Sequence, residues 1–148
     1  MSSRHTDSIL AYDLATSAYL GTFADEGSMD FPLGIDFGPD GHLYVAARDT
    51  EAVLRFDGVT GAFVDVFASG PELASPHDLA FTPDGTLLVC SYTNKSVAVY
   101  DAVSGAFLEV LTDDIGLDYP RGLAVLGPAQ DCNNSGSPDW FDIVGEVS

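Results

Sequence analysis

The chain has 148 residues, which is the size of one ordinary domain and excludes a large multidomain assembly within it. Apolar residues make up 46% of the sequence, and nine Phe, six Tyr and one Trp add bulk, so the composition predicts a folded protein with a real core. Against 23 Asp and Glu stand only five Lys and Arg, and the formal net charge of -18 repels phosphate backbones and anionic lipid surfaces. Neither nucleic acid nor a membrane is therefore an expected partner.

The sequence contains no segment that resembles a membrane span or a secretory signal. No run approaches the roughly 18 to 20 apolar residues of a span, and the start, MSSRHTDSIL, lacks a basic head followed by an apolar stretch. A missing signal fits either a cytoplasmic protein or a piece of a longer exported one. Cys90 lies inside an apolar run, where a buried free thiol is expected.

An internal repeat of 44 residues organises the chain. The pairs Tyr12-Asp13, Phe56-Asp57 and Tyr100-Asp101 recur at this step, and so do the prolines at 32, 76 and 120. A longer block, with Phe, Pro-Asp-Gly, Leu and Val at fixed places between 37 and 45, returns between 81 and 89. So many matches in phase without a gap indicate repeated structural units.

Each unit predicts four antiparallel strands, in chain order. The first strand, GIDF (34–37) or DLAF (78–81), leads through a Pro-Asp-Gly turn into LYVAA or LLVCS. The third strand, VLRFD (53–57) or VAVYD (97–101), leads through a second turn into AFVDVF or AFLEVL. Asp13, Asp57 and Asp101 recur before this second turn, and we interpret them as turn-capping residues. Four strands in 44 residues are typical of a propeller blade.

The repeat also resembles known families. Its pattern is Pro-x-x-(Leu/Ile)-(Ala/Asp)-Phe-x-Pro-Asp-Gly-x-Leu-x-Val, followed by an apolar strand that ends in (Phe/Tyr)-Asp and then by Thr/Ser-Gly-Ala-Phe. This pattern resembles the NHL family of six-bladed β-propellers, and it is similar to YVTN-type repeats and gluconolactonase-like propellers. The resemblance covers residues 8–126 and implies an all-β fold of antiparallel four-stranded blades. It is specific for the blade and not for the ligand.

The phase of the repeat makes residues 1–127 a partial β-propeller. We expect a half blade at 8–24, full blades at 31–68 and 75–112, and the first strand of a further blade at 119–126. A little over three repeats cannot close a ring, because propellers are built from about four to eight blades. An incomplete or open ring is therefore predicted, and three explanations remain open: a fragment of a longer propeller, two copies joined edge to edge as a homodimer, or an open arc with exposed strand edges.

Residues 128–148 form a polar tail that contains a calcium-type loop. Counted from Asp131, oxygen-bearing side chains fall at positions 1, 3, 5, 9 and 12, with Gly136 at position 6, which is the arrangement of a 12-residue Ca²⁺ loop. The predicted ligands are Asp131, Asn133, Ser135, Asp139 and Asp142, together with the backbone carbonyl of Ser137. The segment resembles dockerin-type or thrombospondin type 3 loops, which implies an exported, extracellular protein and weak binding at about 10⁻⁴ to 10⁻³ M. The alternative is a polar tail without an ion.

The residues that follow the repeated proline are predicted to lie at the mouth of the propeller channel. There His77, Asp78 and Arg121 take the place of smaller or apolar residues in the other repeats, and variation among otherwise repeated residues is what a binding mouth would show. His77 with Asp78 resembles the Pro-His stretches of streptogramin-lyase-like propellers, in which a His acts as general base beside a carboxylate-bound Mg²⁺. The alternative is a loop His with a local hydrogen bond. Arg48, Arg55 and Lys95 are interpreted as scattered surface residues or local ion pairs.

The sequence contains no nucleophile elbow, phosphate loop or paired-Cys zinc pattern, so no catalytic residue is predicted. The first hypothesis is a non-enzymatic NHL-like module that binds a protein or peptide and belongs to an exported protein. The second is a fragment of a propeller enzyme, streptogramin-lyase-like or gluconolactonase-like, which would use His77 and a metal. It needs at least two carboxylates in the channel, for which Asp78 and Asp36 are candidates. The third is a truncated remnant without activity.

Overall fold

Three antiparallel sheets follow one another along the chain in the computed structural model, which describes residues 1–111 and 116–125. The first sheet contains β1 (Ser2–Ser3), β2 (Ser8–Tyr12) and β3 (Tyr19–Ala24). The second contains β4 (Pro32–Phe37), β5 (Leu43–Ala47), β6 (Ala52–Phe56) and β7 (Phe63–Ser69). The third contains β8 (Pro76–Phe81), β9 (Thr86–Ser91), β10 (Ser96–Asp101) and β11 (Phe107–Leu111). These ranges contain no helix, and so none that could cross a bilayer.

The all-β prediction and the four-stranded antiparallel units are confirmed. Within each four-stranded sheet the strands pair in chain order, as hairpin connections require. The predicted half blade at 8–24 has one more strand than expected, because Ser2 and Ser3 pair with Ile9 and Ser8. These two residues lie 44 positions before Ala46 and Ala47 at the end of β5, so β1 occupies the place of a second strand.

The strand predicted at 119–126 is not formed in the described residues 119–125. A strand needs a neighbour to share its backbone hydrogen bonds, and the described parts of the chain supply no second strand beside this segment. The segment still lies beside the first strand of the third sheet, because the N–H of Leu123 donates to Asp78 at 2.8 Å.

Apolar side chains fill the spaces between successive sheets. Tyr44, Phe67, Leu79, Leu87 and Tyr100 belong to the cluster between the second and third sheets. A second cluster joins the first sheet to the second, and its buried members include Ile9, Met29, Leu43, Leu54 and Phe56. The innermost strand β4 contacts both β8 and β1, so the sheets pack face to face around adjacent inner strands.

A glycine forms a close joint between each sheet and the one before it. Gly61, with φ of +72°, lies against the outer strand of the first sheet, and a Cβ there would be 1.7 Å from the carbonyl oxygen of Phe23. Gly105, 44 residues later and with φ of +70°, stands in the same relation to Phe67, at 2.2 Å. Only glycine has both the left-handed backbone and the missing side chain that this approach requires.

The repeated aspartates cap the turn between the third and fourth strands, as predicted. The Oδ1 atom of Asp57 accepts hydrogen bonds from the N–H groups of Val59 (3.0 Å) and Thr60 (2.7 Å) and from the Thr60 hydroxyl (2.8 Å). Asp13 and Asp101 make the same set of three bonds in their own turns. The carboxylate thus fixes a turn whose apolar residues point into solvent.

Candidate functional site: the mouth face

One end of the sheets carries the loops between successive sheets and the turns between second and third strands. We call a set of contacting cationic and aromatic side chains at this end the mouth face: Arg4, Phe31, Arg48, His77, Tyr92, Lys95, Tyr119 and Arg121. The predicted site residues His77 and Arg121 are brought together here, because both contact the ring of Tyr92.

The backbone of each repeat builds this face in the same way. The residue before the repeated proline is left-handed each time, with φ of 53° at Phe31, 54° at Ser75 and 52° at Tyr119. This conformation is uncommon for a bulky residue. The carbonyl of Phe31 accepts the N–H of Arg48 at 3.1 Å, and the carbonyl of Ser75 accepts the N–H of Tyr92 at 3.2 Å. The loop entering the first strand is therefore tied to the end of the second.

Six residues of this face were missed in the sequence: Arg4, Phe31, Arg48, Tyr92, Lys95 and Tyr119. The repeat contains a signal for them, since Arg4, Arg48 and Tyr92 succeed one another at steps of 44. Long cationic or aromatic side chains that recur at one loop position indicate a surface formed by corresponding residues of successive repeats.

Cations and rings alternate along the mouth face. The guanidinium carbon of Arg48 lies 4.8 Å from the ring centroid of Phe31, and that of Arg4 lies 5.6 Å from the same ring. Farther along, the ring of Tyr92 is 4.4 Å from that of His77 and 4.9 Å from that of Tyr119, between centroids. These distances are typical of cation–π and aromatic contacts.

Arg121 is attached to the same ring in two ways. Its guanidinium carbon lies 5.2 Å from the Tyr92 centroid, and its Nη2 atom donates to the Tyr92 hydroxyl at 3.0 Å. Tyr92 is therefore the centre of the cluster, with His77, Tyr119 and Arg121 around it.

His77 is a half-buried imidazole in a positive environment. Burial lowers its pKa below the ordinary value, the charges of Arg48 and Arg121 lower it further, and the Asp78 carboxylate opposes them in part. The ring is therefore neutral near pH 7 and can either donate or accept a hydrogen bond.

Asp78 and Asp36 serve the backbone. Asp78 accepts the N–H of Leu79 at 3.0 Å with one oxygen and that of Leu123 at 2.8 Å with the other. Asp36 accepts the N–H groups of Phe37 and Phe81 at 2.9 and 3.3 Å. In residues 1–111 and 116–125 no three His, Cys, Asp or Glu side chains converge as metal ligands. The donor set around His77 does not fit the metal that the enzyme hypothesis needs.

The scarce basic residues are concentrated at this end of the molecule. Four of the five, Arg4, Arg48, Lys95 and Arg121, belong to the mouth face. Arg48 and Lys95 are partly exposed and ion-paired with Asp49 and Asp118, as expected for surface residues, but they are grouped at one end. The fifth, Arg55, lies toward the opposite end and forms the expected local pair. Its Nε and Nη2 atoms donate to the two oxygens of Asp65 at 3.0 and 2.6 Å.

The predicted calcium ligands at 131, 133, 135, 137, 139 and 142 all lie outside the described residues.

No protein-family model matches the chain, and no curated protein matches it. Solved structures do match. The crystal structure of a nidogen/laminin complex has 14% identity over 79% of this chain and 43% of its own, with a TM-score of 0.66. Hydrazine synthase of Kuenenia stuttgartiensis has 18% identity over 80% and 32%, with a TM-score of 0.64.

A third match is a catalytically inactive virginiamycin B lyase from Staphylococcus aureus, crystallised with quinupristin. It has 16% identity over 84% of this chain and 40% of its own, with a TM-score of 0.67. The chain thus spans less than half the length of each of these structures. Identities this low speak for the fold alone, and together with the successive four-stranded sheets they identify the chain as a β-propeller-like all-β protein.

Proposed function

We propose that the chain is a non-enzymatic, NHL-like propeller module that binds a protein or peptide through its mouth face. The observation that carries the proposal is the cluster of His77, Tyr119 and Arg121 around Tyr92. Tyr and Arg are the residue types that dominate protein-binding hot spots, because they combine a large contact area with directed hydrogen bonds.

Accessibility supports this proposal. Tyr119 is 45% exposed and Arg121 is exposed beside it, so a partner can reach both side chains. The structure matched in the nidogen/laminin complex is likewise that of a protein captured with a partner. The lyase match favours the enzyme alternative, but Asp36 and Asp78, the carboxylates that this alternative needs, are engaged with backbone N–H groups.

A peptide-display selection on the immobilised chain tests the proposal. Enriched peptides should bind a Tyr119→Ala variant about tenfold more weakly than wild type, which is the loss expected for a hot spot. The control is Leu14→Ala, since Leu14 is 99% exposed in the turn between β2 and β3. Absence of enriched peptides, or equal binding to Tyr119→Ala and wild type, would contradict the proposal.

We further propose that the loop from Asp131 to Asp142 binds Ca²⁺ weakly and that the chain belongs to an extracellular protein. Support comes from the spacing of the oxygen-bearing side chains in the sequence. Isothermal titration with Ca²⁺ should give heat for wild type and for Glu109→Ala, which removes an equal charge elsewhere, and none for Asp131→Ala. Identical null traces from all three would end this proposal.

Among the three explanations for an open ring, an edge-to-edge homodimer is the one that a measurement on this chain tests directly. Strand edges offer unpaired backbone groups to a second copy. Sedimentation equilibrium of the chain should give the mass of two copies, and a clean monomer at all concentrations would count against it.

A further inference from the structure

We infer that the mouth face recognises an acidic peptide segment, whose Asp or Glu carboxylates pair with the guanidinium groups of Arg48 and Arg121. This inference rests on the proposed function and specifies the chemistry of its partner.

The first step is the availability of the two guanidinium groups. No carboxylate among the described residues forms an ion pair with Arg121, whose recorded hydrogen-bond acceptor is the neutral Tyr92 hydroxyl. Arg48 forms one long ion pair in the described ranges, with 3.5 Å between its Nε atom and Oδ1 of Asp49, and its side chain is 38% exposed. A guanidinium group has five N–H donors, so the exposed part of Arg48 can still donate to an incoming carboxylate.

Two of the other three basic side chains, Lys95 and Arg55, have carboxylate partners at short distance. Lys95 lies 2.7 Å from the carboxylate of Asp118, and Arg55 forms a two-point bond with Asp65. Within residues 1–111 and 116–125, Arg121 has no carboxylate partner, and Arg48 has only the 3.5 Å contact with Asp49. A guanidinium group presents its N–H donors in one plane, so each of these two arginines can bind one carboxylate through two hydrogen bonds.

The second step is orientation. Arg48 is stacked over Phe31 and Arg121 over Tyr92, so ring contacts restrict both guanidinium groups before any ligand arrives. Because the two guanidinium groups are already restricted, they lose less conformational entropy when a ligand binds. The rings also shield one side of each cation from water, which strengthens its attraction to an anion.

The third step is that the positive charges of Arg48 and Arg121 both lie near the His77 ring. The N–H of Arg48 donates to the carbonyl of Phe31, and Gly34, three residues after Phe31, is so close to the next sheet that a Cβ on it would be 2.6 Å from the Cα atom of Asp78. The loop of Arg48 therefore neighbours His77, and both guanidinium groups lower the pKa of His77. Among the described residues, the groups that act on His77 are Arg48, Arg121, Asp78 and the Tyr92 ring, and the first two outweigh the single carboxylate. A bound acidic side chain would offset this excess and would raise the pKa of His77.

The net charge of -18 does not forbid such a ligand. At physiological ionic strength charges farther apart than about 8 Å are largely screened, so the contacts at the mouth decide a short peptide's affinity. A long polyanion such as nucleic acid would extend beyond the mouth onto acidic surface and be repelled there.

The test uses the full chain and an N-acetylated, C-amidated pentaglutamate peptide in 0.15 M salt. The pentaglutamine peptide is its uncharged control. NMR titration should show saturable shifts at His77 and Tyr92 with pentaglutamate, an upward shift of the His77 pKa, and at least tenfold weaker binding of pentaglutamine. Arg48→Gln and Arg121→Gln should each weaken pentaglutamate binding about tenfold. Arg55→Gln makes the same charge change at the opposite end and should leave it unchanged.

Three results would overturn the inference: equal binding of the two peptides, an equal loss in Arg55→Gln, or tighter binding of single-stranded oligothymidylate than of pentaglutamate. The spectrum of each variant reports whether it is folded. If display selection yields non-acidic peptides that need Tyr119, the inference fails while the proposed function stands. If selection yields no peptide, the proposed function itself fails.

Discussion

The Asp78 carboxylate joins two repeats of the chain by accepting the N–H of Leu123 at 2.8 Å. Asp36 makes the equivalent link to Phe81, also 45 residues farther on, at 3.3 Å. In both cases the second oxygen accepts the N–H of the next residue in its own strand. The carboxylates that sequence reasoning offered as metal ligands therefore hold neighbouring inner segments together.

Replacing Asp78 by Ala should loosen the segment that contains Leu123. Two N–H groups lose their acceptor, and we expect the free energy of unfolding to fall by about 1 to 3 kcal/mol. Hydrogen exchange at the Leu123 amide should accelerate in Asp78→Ala and remain at the wild-type rate in Glu109→Ala, an exposed carboxylate on β11. An unchanged exchange rate at the Leu123 amide would show that the hydrogen bond from Leu123 to Asp78 does not stabilise this segment.

Two buried tyrosines should respond oppositely to loss of their hydroxyl groups. The Tyr44 hydroxyl donates to Asp40 at 3.0 Å, whereas the Tyr100 hydroxyl is buried without a partner among the described residues. Tyr44→Phe should therefore destabilise the protein by about 1.5 to 3 kcal/mol, as expected for a bond to a charged group.

Tyr100→Phe should be neutral or stabilising, because it removes an unsatisfied polar group and restores the Phe found 44 residues earlier at Phe56. Urea unfolding of both variants measures the difference. A larger loss of stability in Tyr100→Phe than in Tyr44→Phe would contradict the hydrogen-bond assignment.

The capped turns should make the protein sensitive to acid. The Ser104 hydroxyl and then the Ser104 N–H hold the pKa of Asp101 below its ordinary value. A carboxyl whose pKa is lower in the folded state than in the unfolded state adds stability above the unfolded pKa, and this stability is lost as pH falls through the folded pKa.

Ser104→Ala should consequently raise the pKa of Asp101 and reduce the drop in melting temperature between pH 7 and pH 3. Carboxyl-carbon NMR titration follows the pKa directly. Ser69→Ala, on the exposed edge of β7, serves as the control and should leave it unchanged. An unaltered Asp101 titration in Ser104→Ala would rule out the capping hydroxyl as the cause.

The Cys90 thiol should be inert in the folded protein. Burial raises its pKa to about 11, with a further contribution from the negative charge of Asp78. At pH 8 only about one thiol in a thousand is then the reactive thiolate. In a Cys132→Ala variant, which leaves Cys90 as the single thiol, a disulfide reagent should label the protein only after denaturant is added. Complete labelling of the native protein within minutes would contradict this.

Hairpins were predictable from the sequence because their signals are local. A hairpin turn pairs the two strands beside it and does not depend on distant residues. The signals for these turns are Pro-Asp-Gly at 39–41 and 83–85 and the aspartates before the second turn. The two-residue strand β1 was missed because it is too short to show an alternating pattern. Residues 119–125 were predicted as a strand from their repeat position, but a strand also requires a paired neighbour.

The mouth face was only partly predictable, because its contacts join different repeats. His77 and Arg121 stood out as departures from the repeat, yet their meeting point, Tyr92, belongs to a turn that carries Arg48 one repeat earlier. The same step of 44 therefore relates side chains of different chemistry. Which of them touch depends on how one sheet is rotated against the next, and a single sequence contains no local signal for that rotation.

The glycine joint has a consequence for how such chains can lengthen. The second and third sheets each bring a Gly that lies against a carbonyl of the sheet before it, Gly61 with Phe23 and Gly105 with Phe67, whereas Ser17 stands at the corresponding place in the first sheet. A tandem duplication of 44 residues would arrive with both halves of its connection already made. Growth by whole units thus requires no newly evolved contact, whereas an insertion of any other length separates the matching halves.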